Sequence, residues 1–284
     1  MDKILSKGKS VVKADLHIHT YYSDGDNSPA EVAQRAYAAG VKFASVTDHD
    51  TCDGVEEFAA AAQRLGIETI SGIEFSCLAS FGEVHILGYG FQLHHKGFNA
   101  RLQDLKRQRR ERVRLTLERL QGIGYKLTAQ EVPCGESGIC GRAHIAKAMV
   151  KKGYCDDVSQ AFDRFLGFGK AAYVDSYKMP VKDALTLITA AGGISVLAHP
   201  CQMGLQEQMA AELIKSYAQM GLGGIEADYY AHTKAQQRFY TALARQLNLI
   251  CTGGSDFHGD IRPSPVRAFD LEERDYAELL KCRL

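Results

Sequence analysis

The sequence predicts an α/β protein built from parallel β/α units in two blocks, with an all-helical insertion between them. Three observations carry this. Short apolar runs alternate with amphipathic stretches of helical period, the apolar runs repeatedly end in His, Asp or Glu, and between residues 93 and 176 the alternation gives way to helical patterning alone. With 284 residues, 45% of them hydrophobic, the chain can bury a substantial core.

The first strand spans 11–18. Its period of two puts His17 and His19 on one face at the strand's end, and the turn Ser23-Asp24-Gly25 can fold a carboxylate back over them. Ser28-Pro29-Ala30-Glu31 is a capping box that starts a helix over 29–39, closed by Gly40. A strand over 41–46 delivers Thr47-Asp48-His49-Asp50, and a helix over 55–65 ends at Gly66. A third strand, 67–73, delivers Glu74, and a fourth, 84–89, carries His85.

Residues 96–119 hold nine basic side chains against three acids, with Phe98, Leu102, Leu105, Val113, Leu117 and Leu120 near helical spacing. A capping box at Thr128 and Glu131, helices over 142–151 and 158–166, and the stretch 171–175 complete the insertion. The expected organisation is thus a body of residues 1–92 and 177–284 with a substrate-capping helical subdomain at 93–176.

The β/α rhythm resumes with a helix over 181–191, Gly192-Gly193, and a strand over 194–198 that delivers His199-Pro200. A helix at 206–220, a strand at 224–227 ending at Asp228, and a helix at 232–247 follow. The strand 249–252 then leads into Gly253-Gly254-Ser255-Asp256-Phe257-His258.

Composition narrows the function. Lys plus Arg and Asp plus Glu number 34 each, so net charge selects neither nucleic acid nor membrane, and any such preference must lie in a local patch. The eight cysteines, at 52, 77, 134, 140, 155, 201, 251 and 282, form no Cys-x-x-Cys pair and no even lattice, which predicts free thiols in a reducing cytosol. Residues 1–10 carry lysines without an apolar h-region, and no run of eighteen apolar residues occurs. A cytoplasmic protein with no membrane contact is expected, and no stable protein partner is implied.

In parallel β/α folds chemistry gathers at the carboxyl ends of the strands. Nine candidate donors stand there: His17, His19, Asp24, His49, Glu74, His85, His199, Asp256 and His258, which include six of the ten histidines. Singly each has an ordinary explanation: His49 as a cap, Asp24 as an Asx-turn residue, His199 as an extended residue before proline. Jointly they argue for metal. Imidazole nitrogen with carboxylate oxygen suits zinc, manganese or iron(II), and nine groups with Glu74 able to bridge favour two or three ions over one. No nucleophile elbow or P-loop is present, and Gly167-Phe168-Gly169 follows a helix, not a strand, so it is no dinucleotide fingerprint.

His-x-His with the following Ser-Asp-Gly, Thr47-Asp48-His49, Glu74, Ala198-His199-Pro200 and Gly254-Ser255-Asp256-Phe257-His258 resemble the PHP (polymerase and histidinol phosphatase) superfamily along the whole chain. More narrowly, Val84-His85-Ile86-Leu87-Gly88-Tyr89, Gly141-Arg142-Ala143-His144-Ile145-Ala146 and the stretch from Gly192 to Pro200 look like its branch of 3',5'-nucleotide bisphosphate phosphatases that also act as 5'-3' exoribonucleases.

That resemblance implies a distorted (β/α)7 barrel with the helical subdomain inserted, and up to three divalent ions, manganese before zinc or iron. It assigns His17, His19, Glu74 and Asp256 to one ion, Glu74, His85 and His199 to a second, and Asp24, His49 and His258 to a third. Asp256, His258, Arg142 and His144 become the catalytic set. Arg142 and His144 would hold phosphate, Arg142 through its planar fork, and Lys170 and Tyr173 would contact the nucleotide. Ala143 stands where the branch usually has proline, and Cys201 after His-Pro is less familiar and receives no role. The implied reaction removes the 3'-phosphate of a 3',5'-bisphosphonucleotide and trims short 5'-phosphorylated RNA. The basic run 96–119 reads first as a solvated helix face, though its local charge can steer an anion. Two rivals remain: an amidohydrolase-type deaminase or peptidase, disfavoured because no lysine neighbours Glu74, and a non-catalytic binding module stabilised by metal.

Overall fold

The computed structural model describes residues 10–132, 140–175, 177–259 and 264–282. From the amino end run β1 (Val11–Ile18), α1 (Pro29–Ala38), β2 (Phe43–Val46), α2 (Val55–Arg64), β3 (Glu68–Thr69), β4 (Gly72–Ala79), β5 (Gly82–Tyr89) and α3 (Lys96–Gly122). A 3-10 turn (Ala129–Glu131), α4 (Arg142–Lys151) and α5 (Val158–Ala161), continued by a π turn (Phe162–Leu166), lead to β6 (Met179–Pro180) and α6 (Val181–Ala190). Then come β7 (Ile194–Leu197), α7 (Glu207–Gln219), β8 (Gly224–Tyr229), α8 (Lys234–Gln246), β9 (Ile250–Gly254), β10 (Phe269–Glu272) and α9 (Glu273–Lys281).

The class is α/β, as expected. One sheet has the order β10-β1-β2-β3, with β1, β2 and β3 parallel; the other has the order β6-β4-β5-β7-β8-β9. Isolated bridges at Ile18↔Phe257 and His49↔Glu74 join the sheets at both seams, so β1 neighbours β9 as well as β2. The Asp256 N–H donates to the His17 carbonyl at 2.8 Å and the His19 N–H to the Phe257 carbonyl at 2.9 Å. That seam requires glycine at 254, where a Cβ would lie 2.3 Å from the His17 Cβ.

Two expectations need correction. The strand expected over 67–73 is split: Glu68–Thr69 stays with the first sheet, and β4 starts at Gly72, which puts Glu74 inside a strand and not at its carboxyl end. The strictly parallel rhythm also breaks, because β5 pairs antiparallel with both β4 and β7. Only residues 80 and 81 connect β4 to β5, far too few for the crossover a parallel pair needs. His85, near the start of this reversed strand, thereby reaches the same side as the carboxyl ends of the others. β6, β10 and α9 were not among the expected elements.

Helix α3 belongs to two cores. Phe98, Leu102 and Leu105 pack with β4, β5 and α6, while Val113, Leu117 and Leu120 pack with Ile145, Met149 and Leu166 of the helical region. At 27 residues it is about 40 Å long, and each fully buried Phe or Leu stabilises the packing by roughly 1.5–3 kcal/mol, so both halves are anchored. The His95 Nδ1 caps it, accepting from the Phe98 N–H at 3.2 Å.

Cys140 is disulfide-bonded, contrary to the expectation of free thiols throughout. Cys52, Cys77, Cys155, Cys201, Cys251 and Cys282 are free, and Cys134 lies outside the described residues. Among the described residues no helix is long and apolar enough to cross a membrane.

Candidate metal centre

All nine expected donors meet in one cluster. Glu74 is its hub: His85 Nδ1 lies 2.8 Å from Oε1 and His199 Nε2 3.0 Å, while His19 Nε2 and His49 Nδ1 each lie 3.1 Å and His17 Nε2 3.4 Å from Oε2. Asp256 Oδ1 is 3.4 Å from His17 Nε2 and 3.3 Å from His19 Nε2. Asp24 Oδ1 is 3.3 Å from His258 Nε2. His17, His19 and Glu74 are sealed off, whereas the side chains of His49, His85 and Asp24 are 14%, 20% and 24% exposed and mark the open side.

The loops are built to hold these groups. Asp48 is buried and accepts three hydrogen bonds: from the Thr20 N–H (2.8 Å), the Thr20 hydroxyl (2.7 Å) and the Ser23 hydroxyl (2.6 Å). They curl residues 20–25 over the cluster and bring Asp24 back to it. Gly25 closes that turn, where a Cβ would sit 2.7 Å from the His19 carbonyl oxygen. Of the non-glycine residues with left-handed backbone, Asp50 (φ 53°), His199 (φ 26°) and Asp256 (φ 51°) are donors or adjoin one. Each such residue costs about 1–3 kcal/mol and persists only where its surroundings over-determine it.

The electrostatics match a cation site. Burial opposes ionisation of Glu74 and Asp24, yet the imidazoles of His85, His17 and His49 around Glu74, and of His258 and His49 around Asp24, hold both well below the usual carboxylate range. Burial would also lower His85, but Glu74 raises it to about 10, whereas His49 is pushed down to about 3, chiefly by burial. One carboxylate cannot hydrogen-bond to five imidazoles at once. His17 Nε2 faces His19 Nε2 at 3.1 Å, and the buried His49 Nδ1 makes no hydrogen bond despite its 3.1 Å approach to Glu74. Converging donors of this kind fit divalent ions. Within 4.8 Å they group as His19, Asp24, His49, His258; His17, His19, Asp256; His17, Glu74, His199; and His49, Glu74, His85. His17, His19, His49 and Glu74 are therefore each shared between two groups.

Arg142 and His144 open α4. The His144 Nδ1 accepts from the Gly141 N–H at 3.0 Å, and burial lowers the pKa of its ring. The Arg142 guanidinium donates to the Leu166 carbonyl at 3.3 Å and lies 5.3 Å from the Tyr173 ring centroid. Lys170 is exposed. Arg142 also lines a cavity of about 60 Å³ with Asp50, Glu83, Arg109, Arg112 and Tyr177. Arg109 is committed to Asp50 through its Nε (3.1 Å) and Nη2. The Arg112 Nε donates to the Val174 carbonyl at 3.2 Å, but its Nη2 is buried without a hydrogen-bond partner among the described residues, and burial beside Arg142 and Arg109 lowers its pKa to about 10. A second cavity, about 260 Å³, is lined by Glu83, His85, His199, Gln202 and Met203.

Sequence reasoning missed the groups behind the donors. Asp15 accepts the Ser255 N–H at 2.9 Å and the Arg267 N–H at 3.2 Å, tying β1 to the loop that carries Asp256. Asp48, Glu226, Tyr229 and Arg112 were likewise passed over. A signal existed for Asp15 and Glu226, since each is an acidic residue flanked by apolar ones within a strand.

The PHP domain model matches residues 15–246. A 5'-3' exoribonuclease from Haemophilus influenzae is 35% identical over 87% of this chain and 90% of its own. A 3',5'-nucleoside bisphosphate phosphatase from Chromobacterium violaceum is 32% identical over 86% of each chain. Among solved structures, an amidohydrolase from Chromobacterium violaceum with bound sulfate and no metal superposes with a TM-score of 0.84 at 30% identity, covering 95% of this chain and 97% of that one.

Proposed function

The chain belongs to the PHP domain family and is a metal-dependent phosphoesterase, and from that premise we propose that it removes the 3'-phosphate from 3',5'-bisphosphonucleotides and shortens 5'-phosphorylated RNA from the 5' end. One observation carries the reading: nine imidazole and carboxylate donors, Glu74 at their centre, converge beside a cavity lined by the guanidinium groups of Arg109, Arg112 and Arg142.

Two or three divalent ions, manganese first and zinc or iron(II) second, would be held by the nine donors, which fall into overlapping groups that share His17, His19, His49 and Glu74. Bound there, such ions supply Lewis acidity, polarising phosphoryl oxygens and acidifying water. The chain's own residues do the rest. Arg142 and Arg112 present forked cations to a phosphate, and the helical stretch 93–176 that carries them caps the substrate. His258 keeps its Nδ1 proton on the Asp256 carbonyl at 2.8 Å, which leaves the Nε2 lone pair to the cluster, beside Asp24 Oδ1 at 3.3 Å. Tyr173, stacked on Arg142, fixes the plane of that guanidinium, and Lys170 adds positive charge at the rim. A cytosolic setting suits these substrates.

A phosphate-release screen over bisphosphonucleotides, mononucleotides and short 5'-phosphorylated RNAs, with manganese, zinc and magnesium compared, tests the proposal. Manganese-dependent release from the bisphosphonucleotide, abolished by a chelator, is expected. A metal-replete protein that frees no phosphate, or one that frees ammonia from an amide or amine substrate, sinks it.

A further inference from the structure

We propose that strand β8, which lends no donor to the cluster, sets the aim of three residues that do, through Glu226 and Tyr229; this rests on reading the cluster as a metal centre. Glu226 is fully buried, and among the described residues its two hydrogen bonds both go to candidate ligand residues. Its Oε1 lies 2.9 Å from the His17 Nδ1 and its Oε2 accepts the His199 N–H at 2.6 Å. An ionised carboxylate only accepts, so the His17 proton belongs on Nδ1 and the Nε2 lone pair faces Glu74, Asp256 and His19. The second bond clamps His199 in its left-handed backbone, φ 26°, from which its ring reaches Glu74. Tyr229 acts likewise on Asp256. Its hydroxyl donates to Oδ2 at 3.1 Å and accepts from the Gln202 Nε2 at 2.7 Å, turning Oδ1 toward His17 and His19.

The backbone of β8 shows why one strand can do both. Residues three apart on a regular strand point to opposite faces. In β8 the pairing runs Glu226↔Thr252 and then Asp228↔Gly253, so one extra residue is inserted and Tyr229, opposite Gly254, returns to the face of Glu226. Without that bulge only one of the two side chains would address the cluster. Both are positioning residues, acting through the donors they touch.

The test is titration of metal-free protein with manganese, followed by calorimetry and by the signal of free manganese, alongside the melting temperature without metal. Glu226→Gln puts an amide N–H2 against either the His17 N–H or the His199 N–H; its tightest site should weaken ~10–100-fold. Tyr229→Phe removes one hydroxyl at constant shape and should weaken binding a few-fold, on the order of 3–10-fold. Metal-free melting temperatures should stay within a few degrees of the wild type. Wild-type manganese affinity in both variants overturns the inference; if Glu226→Gln fails to fold, Tyr229→Phe decides. Because no substrate enters the assay, a failed nucleotide screen leaves the inference standing, whereas a wild type that takes up no ion removes both.

Discussion

In the metal cluster three carboxylates lie among six imidazoles; the neighbouring cavity is lined by three guanidinium groups with Asp50 and Glu83, of which Asp50 pairs with Arg109 and Glu83 with Lys178. The floor is sealed at His17, His19 and Glu74, and its ionised carboxylates are met from several directions, as Glu74 shows with five imidazoles within 3.4 Å. The roof is half open, and one of its cations, Arg112, has a buried nitrogen with no hydrogen-bond partner among the described residues. The floor is organised to hold positive charge permanently and the roof to receive negative charge transiently. Chemistry on one side and recognition on the other follow from that asymmetry, and each expected outcome below tests it.

The largest effect should come from the hub. Glu74→Gln keeps the shape but leaves five imidazoles facing a group with one acceptor, so manganese-dependent phosphate release should fall about a thousandfold, roughly 4 kcal/mol in transition-state stabilisation. Steady-state kinetics under saturating metal would check it. A loss confined to KM would show the floor to be a binding surface like the roof.

Next is the cost of the buried charge that ties the floor together. Burial raises the Asp15 pKa from 3.8 to about 6 against hydrogen bonds from Ser255 and Arg267. A folded-state value above the unfolded one means that ionisation opposes folding: the favourable contribution is complete below about 4 and is lost as pH rises through 6. About 3 kcal/mol is at stake. Urea unfolding of wild type and Asp15→Asn at several pH values isolates it, because other groups titrate in both proteins. The stability of the wild type should fall relative to that of the variant by about 3 kcal/mol from pH 4 to pH 7, and a flat difference would put Asp15 outside the electrostatics of the floor.

Recognition by the roof is the third and smaller effect. Arg142→Ala and Arg112→Met should each raise KM for a bisphosphonucleotide ~10–100-fold with kcat nearly kept, the 1.5–3 kcal/mol of a hydrogen bond to a charged group. Arg112→Met should leave stability within about 1 kcal/mol of wild type, since the buried cation it removes is unpaired on one nitrogen and the bond to Val174 is its main loss. A matching fall in kcat would move Arg112 from recognition to chemistry.

The two regions were also unequally legible in the sequence. The donors of the floor announce themselves, because period-two placement and turn residues put His17, His19, Asp24 and Asp256 at strand ends where a reader already looks. Glu74 and His85 were found for a partly wrong reason, as strand-end residues, when one lies inside β4 and the other near the start of a reversed β5; two connecting residues decided that, and hairpin direction is not visible in hydrophobic pattern. The supporting groups were hidden because nothing local says that Glu226 will face His17, 209 residues away. On the roof, nine basic residues within 96–119 look alike in one dimension. Which of them turn inward depends on how α3 is shared between two cores, a tertiary fact.

That last point yields the smallest effect, and it separates the inward arginines from their neighbours on the same helix. Arg107 and Arg114 have exposed side chains paired with Asp104, Glu111 and Glu118 one turn away, and Arg110 is exposed as well. Such surface pairs contribute about 0–1 kcal/mol each and are screened by salt. Replacing Arg107, Arg110 and Arg114 together by Gln should therefore change KM for a bisphosphonucleotide by less than about twofold and stability by about 1 kcal/mol at most. For a short 5'-phosphorylated RNA the same triple variant should lose a little more at low ionic strength and nothing at high, because long-range steering is an ionic-strength effect. Measuring both substrates at two salt concentrations decides the matter. A tenfold loss that persisted in high salt would mean that RNA lies directly along α3 and that the roof extends well beyond the cavity beside the metal donors.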